Sequence, residues 1–145
     1  MIYLLYGQPG SGKTTLGNLL AKHFETPFII DGDEFRDMFN NKEYGFGGRK
    51  KNIRAANAVA TYLTQINWLC PPVVMSLVNP YVQFRNELKE DNKDQVFEIL
   101  LKTTRDLKQE YHVDDFEQGD PDCILNTDLE LGESCDYLLT LIQHD

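Results

Sequence analysis

The chain has 145 residues, 41% of them hydrophobic and 11% aromatic, which suits one packed domain and argues against disorder or a solenoid. Its longest apolar runs, such as Ile2–Tyr6 and Val73–Met75, fall far short of the roughly 20 residues that a bilayer span needs. The formal charge of −9 is uneven: residues 1–56 carry 8 basic and 6 acidic side chains, residues 57–145 carry 6 and 17. Such acidity argues against a protein that coats nucleic acid, while leaving room for an anionic small ligand in the first third.

In chain order, Ile2–Tyr6 is a short β-prone run broken by Gly7-Gln8-Pro9-Gly10-Ser11-Gly12. From Lys13 to Phe24 the apolar residues Leu16, Leu19, Leu20 and Phe24 fall at helical spacing. Phe28–Ile30 reads as a second strand ending in Asp31-Gly32-Asp33, and residues 40–48 as a loop with three glycines. Arg49 to about Ile66 carries a helical apolar stripe, and Val73–Val78 is a strand closed by Asn79-Pro80. A helix over Tyr81–Lys89, a strand over Val96–Leu101, a polar stretch, a strand over Cys123–Asn126 and a helix over Glu133–Ile142 complete the pattern.

Strands alternating with helices predict βαβ units and a mainly parallel sheet of about five strands. In such sheets a ligand sits beyond the carboxyl ends of the strands, which directs attention to loops 7–14, 31–36, 79–85 and 102–122. Cys70, Cys123 and Cys135 are odd in number and widely spaced, a pattern that suits neither disulfides nor a zinc site. Three buried or half-buried thiols are expected, in a cytoplasmic protein with no leader. Tyr62 and Trp68 read either as core or as a dimer contact, so an oligomer stays open.

Gly7-Gln8-Pro9-Gly10-Ser11-Gly12-Lys13-Thr14 fits GxxxxGK[ST] in full, between a strand and a helix. In that pattern the glycines let backbone N–H groups cradle phosphate oxygens, and the helix start aims its positive end at them. Lys13 then bridges the β- and γ-phosphates of ATP, and Thr14 places its hydroxyl on Mg²⁺. Gly7, Pro9, Gly10, Ser11, Gly12, Lys13, Thr14 and Thr15 are therefore the expected ATP-binding residues. The expected fold is α/β: a P-loop NTPase three-layer αβα arrangement, nucleoside-kinase-like, forming one domain over residues 1–145. Asp31 and Asp33 are the candidates for deprotonating an acceptor hydroxyl and for metal contact, since only the strand before them ends directly in an acid. Capping of the following turn is the other reading, for Asp33 first and for Asp31 as well.

The Gly7–Thr15 loop, Asp31-Gly32-Asp33-Glu34-Phe35-Arg36, Gly45-Phe46 and Arg49-Lys50-Lys51-Asn52-Ile53-Arg54 together resemble adenylylsulfate kinases in content, order and spacing. Val78-Asn79-Pro80-Tyr81 with Arg85, and Leu125-Asn126-Thr127-Asp128, continue the likeness over most of the chain. The resemblance implies transfer of the ATP γ-phosphate to the 3′-hydroxyl of adenylyl sulfate, a small nucleotide, with Asp31 as the acceptor-side carboxylate. It also implies an acceptor pocket lined by Arg36, Arg49 and Asn52, with Asn79 at its edge. Planar guanidinium forks suit the acceptor's sulfate and phosphate groups.

The sequence departs from the family pattern in three places. Asn79 stands where the family has Ser, and Val82 replaces a basic residue. Only about 20 residues lie where the family carries a long Lys-rich lid, with Arg105 and Lys108 as their basic side chains. Arg105 is expected to reach the phosphates or stack on adenine. A different hydroxyl acceptor, such as a nucleoside or a polynucleotide 5′ end, and a non-catalytic nucleotide-binding protein are the alternatives.

Overall fold

The computed structural model describes residues 1–66, 71–104, 111–128 and 130–143. Ten elements follow in chain order: β1 (Ile2–Tyr6), α1 (Lys13–His23), β2 (Ile29–Asp31), α2 (Gly32–Met38), α3 (Phe46–Gln65), β3 (Val73–Leu77), α4 (Val82–Asp91), β4 (Val96–Lys102), β5 (Cys123–Asn126) and α5 (Leu131–Gln143). The strands form one sheet in the order β2-β3-β1-β4-β5, every pair parallel. This is a three-layer α/β fold of the P-loop, nucleoside-kinase-like kind.

Strand alternation builds the layers. Successive side chains of β1 point to opposite faces of the sheet. Ile2, Leu4 and Tyr6 pack with Phe35 of α2, Ala56 and Ala60 of α3 and Leu88 of α4. Tyr3 and Leu5 pack instead with Leu16 and Leu20 of α1 and with Cys135 and Leu138 of α5. Every residue of β1 and β3 is buried, which explains why these strands read as unbroken apolar runs. Each fully buried aliphatic side chain there contributes about 1.5–3 kcal/mol.

Helix α1 lies close to the sheet through Gly17. A Cβ at that position would overlap Ser76 Oγ on β3, while Val74 Cγ1 and Ser76 Cβ would stay at ordinary contact, 3.5 and 3.7 Å. Gly17→Ala is expected to cost about 1–3 kcal/mol of stability in urea unfolding, despite the helical preference of alanine. Ser76→Ala in the same chain should recover most of that loss. A Gly17→Ala protein as stable as the parent would show that the two elements adjust freely.

Sequence and structure differ at three places. The Asp-Gly-Asp segment opens a helix, α2, rather than a loop, and α3 begins at Phe46 inside the glycine-rich stretch. Tyr62 is 65% exposed, so core packing does not account for it. Cys123 and Cys135 are buried, as expected, whereas Cys70, Trp68, Arg105 and Lys108 lie outside the described residues.

Candidate active site

A cleft of about 910 Å³ lies beyond the carboxyl ends of β1, β2 and β3. Its floor is the loop between β1 and α1. Gly10 and Gly12 adopt φ values of +85° and +99°, a left-handed backbone that other residues seldom take. Gly12 is the N-cap of α1 and supplies no side-chain cap, so the first N–H groups of the helix are left for an outside acceptor. Pro9, Gly10, Gly12, Lys13, Thr14 and Thr15 all line the cleft. Gly7 and Ser11 support the loop from behind: Gly7 N–H donates to Val78 O, and Ser11 O accepts from the Thr127 hydroxyl.

Lys13 is only 9% exposed; its Nζ donates to Gln8 O at 2.9 Å and to Ser11 Oγ at 3.4 Å. Burial pulls its pKa down to about 8, partly opposed by the Asp33 and Asp31 carboxylates. A cation so largely withdrawn from solvent is poised for an anionic partner.

Asp31 ends β2 and does two things at once. Its Oδ1 accepts from the N–H groups of Asp33 and Glu34, capping α2, and its Oδ2 accepts from the Thr14 hydroxyl at 2.7 Å. Of the two aspartates considered for capping, it is Asp31 that caps, and Asp33 is left exposed in the cleft wall. Thr14 and Asp31 bring together a hydroxyl and a carboxylate oxygen, donors of the hard kind that Mg²⁺ takes. Among the described residues no cluster of three His, Cys, Asp or Glu side chains could hold a metal. The Thr14 hydroxyl and Asp31 carboxylate oxygens, 2.7 Å apart, suit an ion that takes its other ligands from phosphates and water.

The far wall comes from α2, α3 and the end of β3. Arg36 is buried, its pKa lowered by desolvation, and its guanidinium lies 4.1 Å from the Tyr44 ring. One of its nitrogens donates to Asn41 O, Asn41 Oδ1 and Glu43 O, so Arg36 also holds loop 41–43 in place. Arg49 donates to Tyr111 O at 3.4 Å, and Asn52 donates to Gly32 O at 3.2 Å. Asn79 is buried at the end of β3. All four line the cleft together with Asp31.

Arg85 is not in that wall. It is 2% exposed, donates to Asn79 O and Glu117 O at 2.6 Å each, and sits 4.3 Å from the Tyr6 ring. Its Nε is 3.8 Å from buried Glu98, which Lys89 also meets at 2.9 Å.

Residues 111–119 form a strap over the ends of β1 and β3, a feature that sequence reasoning missed. The Gln8 side chain pairs with the backbone of Val113 in both directions, Nε2 donating to Val113 O at 2.8 Å and Oε1 accepting from Val113 N–H at 2.9 Å. Phe116 stacks on Tyr6, whose hydroxyl donates to Gln118 O; burial pushes that phenol up to about 12. Glu117 N–H donates to Pro80 O, and the Glu117 carboxylate accepts from Val82 N–H. In the cleft lining Tyr111 meets Tyr44, ring centroids 4.7 Å apart. No local signal marks Gln8, because its partner is 105 residues away. Gln8→Leu is expected to lower stability by about 1–3 kcal/mol and to speed hydrogen exchange at Val113. Unchanged exchange there would mean that the strap does not depend on this pair.

A glycine-rich loop at a helix start, with a buried lysine and a threonine–carboxylate pair beside it, on a parallel sheet of this order, defines a P-loop kinase fold. The family model described as adenylylsulphate kinase matches residues 1–116, and the chain belongs to that family. Among solved structures it is similar to the Mycobacterium tuberculosis APS kinase in complex with AMPPNP and APS, with 21% identity, a TM-score of 0.81, and coverage of 98% of this chain and 96% of that one. It is also similar to a gluconokinase from Sinorhizobium meliloti 1021, with 16% identity, a TM-score of 0.74, and coverage of 98% and 91%. Likenesses at these identities define the fold. A curated cytidylate kinase of Methanococcoides burtonii is 47% identical over 38 residues, a stretch that is 26% of this chain and 22% of that enzyme. No helix among the described residues is long and apolar enough to cross a membrane.

Proposed function

We propose that the protein transfers the γ-phosphate of ATP to a hydroxyl of a small anionic nucleotide, namely the 3′-hydroxyl of adenylyl sulfate. The observation that carries this reading is the Thr14–Asp31 contact, which joins the phosphate loop to an acidic strand end inside a cleft that Arg36, Arg49 and Asn52 also line. The family and the fold support a phosphotransferase acting on a small-molecule hydroxyl.

In this reading the N–H groups of the 7–14 loop and Lys13 bind and orient the triphosphate. Asp31 accepts the proton of the attacking hydroxyl as the oxygen–phosphorus bond forms and the γ-phosphate leaves ADP. Arg36 and Arg49 hold the acceptor's anionic groups with their guanidinium forks. Mg²⁺, when bound with the nucleotide, neutralises charge on the transferring phosphate; Thr14 and Asp31 are the protein oxygens that would face it. Asp33 faces the same cleft and shares in holding Lys13 charged.

The test is ADP release from MgATP with adenylyl sulfate, compared with gluconate, shikimate, nucleosides, cytidine monophosphate and a 5′-hydroxyl oligonucleotide. Selective release with adenylyl sulfate, accompanied by a 3′-phosphorylated product, is expected. Preference for another acceptor would keep the kinase and overturn the substrate. Nucleotide binding with no acceptor response would overturn catalysis.

A further inference from the structure

Two side chains in the cleft carry hydrogen-bonding atoms that the protein itself does not use. Asn79 is 1% exposed, and neither its Oδ1 nor its Nδ2 has a partner. Asn52, also buried, gives its Nδ2 to Gly32 O and leaves Oδ1 unmatched. A third unmatched amide oxygen, on Asn57, belongs to a residue that does not line the cleft. Buried amides are normally paired, so two unmatched ones in the wall of one cleft call for a ligand.

The backbone around Asn79 is held to present it. Its φ is +46°, a left-handed conformation that asparagine tolerates better than most residues. Val78 O accepts from Gly7 N–H on one side, and Asn79 O accepts from buried Arg85. Strained backbone over-determined in this way is commonest at ligand sites.

The chemistry of the unmatched atoms selects the ligand group. Two of the three are carbonyl oxygens, which need a donor, and the third is an amide N–H₂, which needs an acceptor. An ionised sulfate or phosphate only accepts, so it leaves both oxygens unmatched. A hydroxyl donates and accepts. Of the cations that line the cleft, Lys13 is held by the phosphate loop through Gln8 O, Arg36 on α2 lies against Tyr44 and Arg49 on α3 donates to Tyr111 O; none is a hydrogen-bond partner of the Asn79 side chain.

We infer that Asn79, assisted by Asn52, reads the hydroxyl groups of the phosphoryl acceptor, so that a sugar-like diol lies at the end of β3 and the acceptor's anion lies toward the arginines. This rests on the acceptor reading of the cleft given above, and it adds Asn79 as the residue that sets specificity for a hydroxylated rather than a deoxy ligand.

The test measures binding of adenylyl sulfate and its 2′,3′-dideoxy analogue with MgADP present, in the parent protein and in Asn79→Gly, a change that suits the positive φ. The parent is expected to favour the hydroxylated ligand by about tenfold or more, and Asn79→Gly to bind the two nearly equally while melting no lower than the parent. Asn79→Ser, which restores a donor and acceptor, should recover part of the discrimination. Discrimination unchanged in Asn79→Gly overturns the inference and leaves the proposed activity standing. If the parent binds neither nucleotide, the proposed substrate fails, and the inference is read separately from the Asn79 side-chain amide signals in NMR. Ribose 5-phosphate should move those signals and inorganic phosphate should not. Equal shifts with both, or none with either, would overturn it.

Discussion

Lys13→Ala is expected to lower kcat by about 10²–10³-fold or more, the usual effect of removing one donor from a charge-stabilising site. Burial holds the Lys13 ammonium near a pKa of about 8 in the free protein. Phosphates beside it favour the charged form, so nucleotide binding at pH 8–9 should be accompanied by proton uptake. Calorimetry in two buffers of different ionisation enthalpy would register that uptake, and it should vanish in Lys13→Ala. The sign for stability follows from the same shift. Between about pH 8 and the ordinary lysine range, the unfolded chain binds more protons than the folded one, so stability of the free protein contributed by this group rises with pH across that window. Binding without proton uptake at pH 8–9 would show that Lys13 does not meet the phosphates.

Asp31 should separate chemistry from folding. Asp31→Asn keeps an oxygen able to cap α2 but removes the carboxylate facing Thr14. Its kcat is expected to fall by about 10²–10⁴-fold with little change in melting temperature. Asp31→Ala should lose the activity and in addition about 1 kcal/mol of stability, because the cap goes too. Both variants retaining activity would remove Asp31 from the reaction and leave it a structural cap. A loss of activity in Asp31→Ala alone would assign its role to orientation of the 31–36 segment.

Much of the fold was legible in local pattern, and the reason is physical. Ile2–Tyr6 and Val73–Leu77 are covered on both faces, so they read as continuous apolar runs, and the glycines after Tyr6 are required by the left-handed turns of the loop. Helix α2 was not legible. It is seven residues long with two apolar side chains, Phe35 and Met38, too short for a periodic stripe, and its capping residue is an aspartate that also reads as chemistry. The start of α3 was hidden by Gly47 and Gly48, whose low helical preference is overridden where α3 packs against Glu43.

The cleft residues divide in the same way. Lys13 and Thr14 announce themselves through the spacing of the loop pattern, and Asp31 as the acid that directly ends a strand. Arg85 is marked in sequence only by the family likeness, and its burial comes from tertiary contacts with Tyr6, Glu98 and Glu117. The unmatched amides of Asn52 and Asn79 are invisible in sequence, because what distinguishes them is the absence of a partner in three dimensions.

The strap has an entropic consequence. A lid that orders only when substrate arrives spends binding energy on its own ordering, on the order of 1–2 kcal/mol for each residue fixed. Residues 111–119 are already fixed by Gln8, Tyr6, Arg85 and Pro80. For this stretch the entropy is lost once, when the chain folds, and the affinity of the cleft for its ligands is relieved of it. The Tyr44–Tyr111 contact at one end of the stretch likewise stands in the cleft lining before any ligand is present.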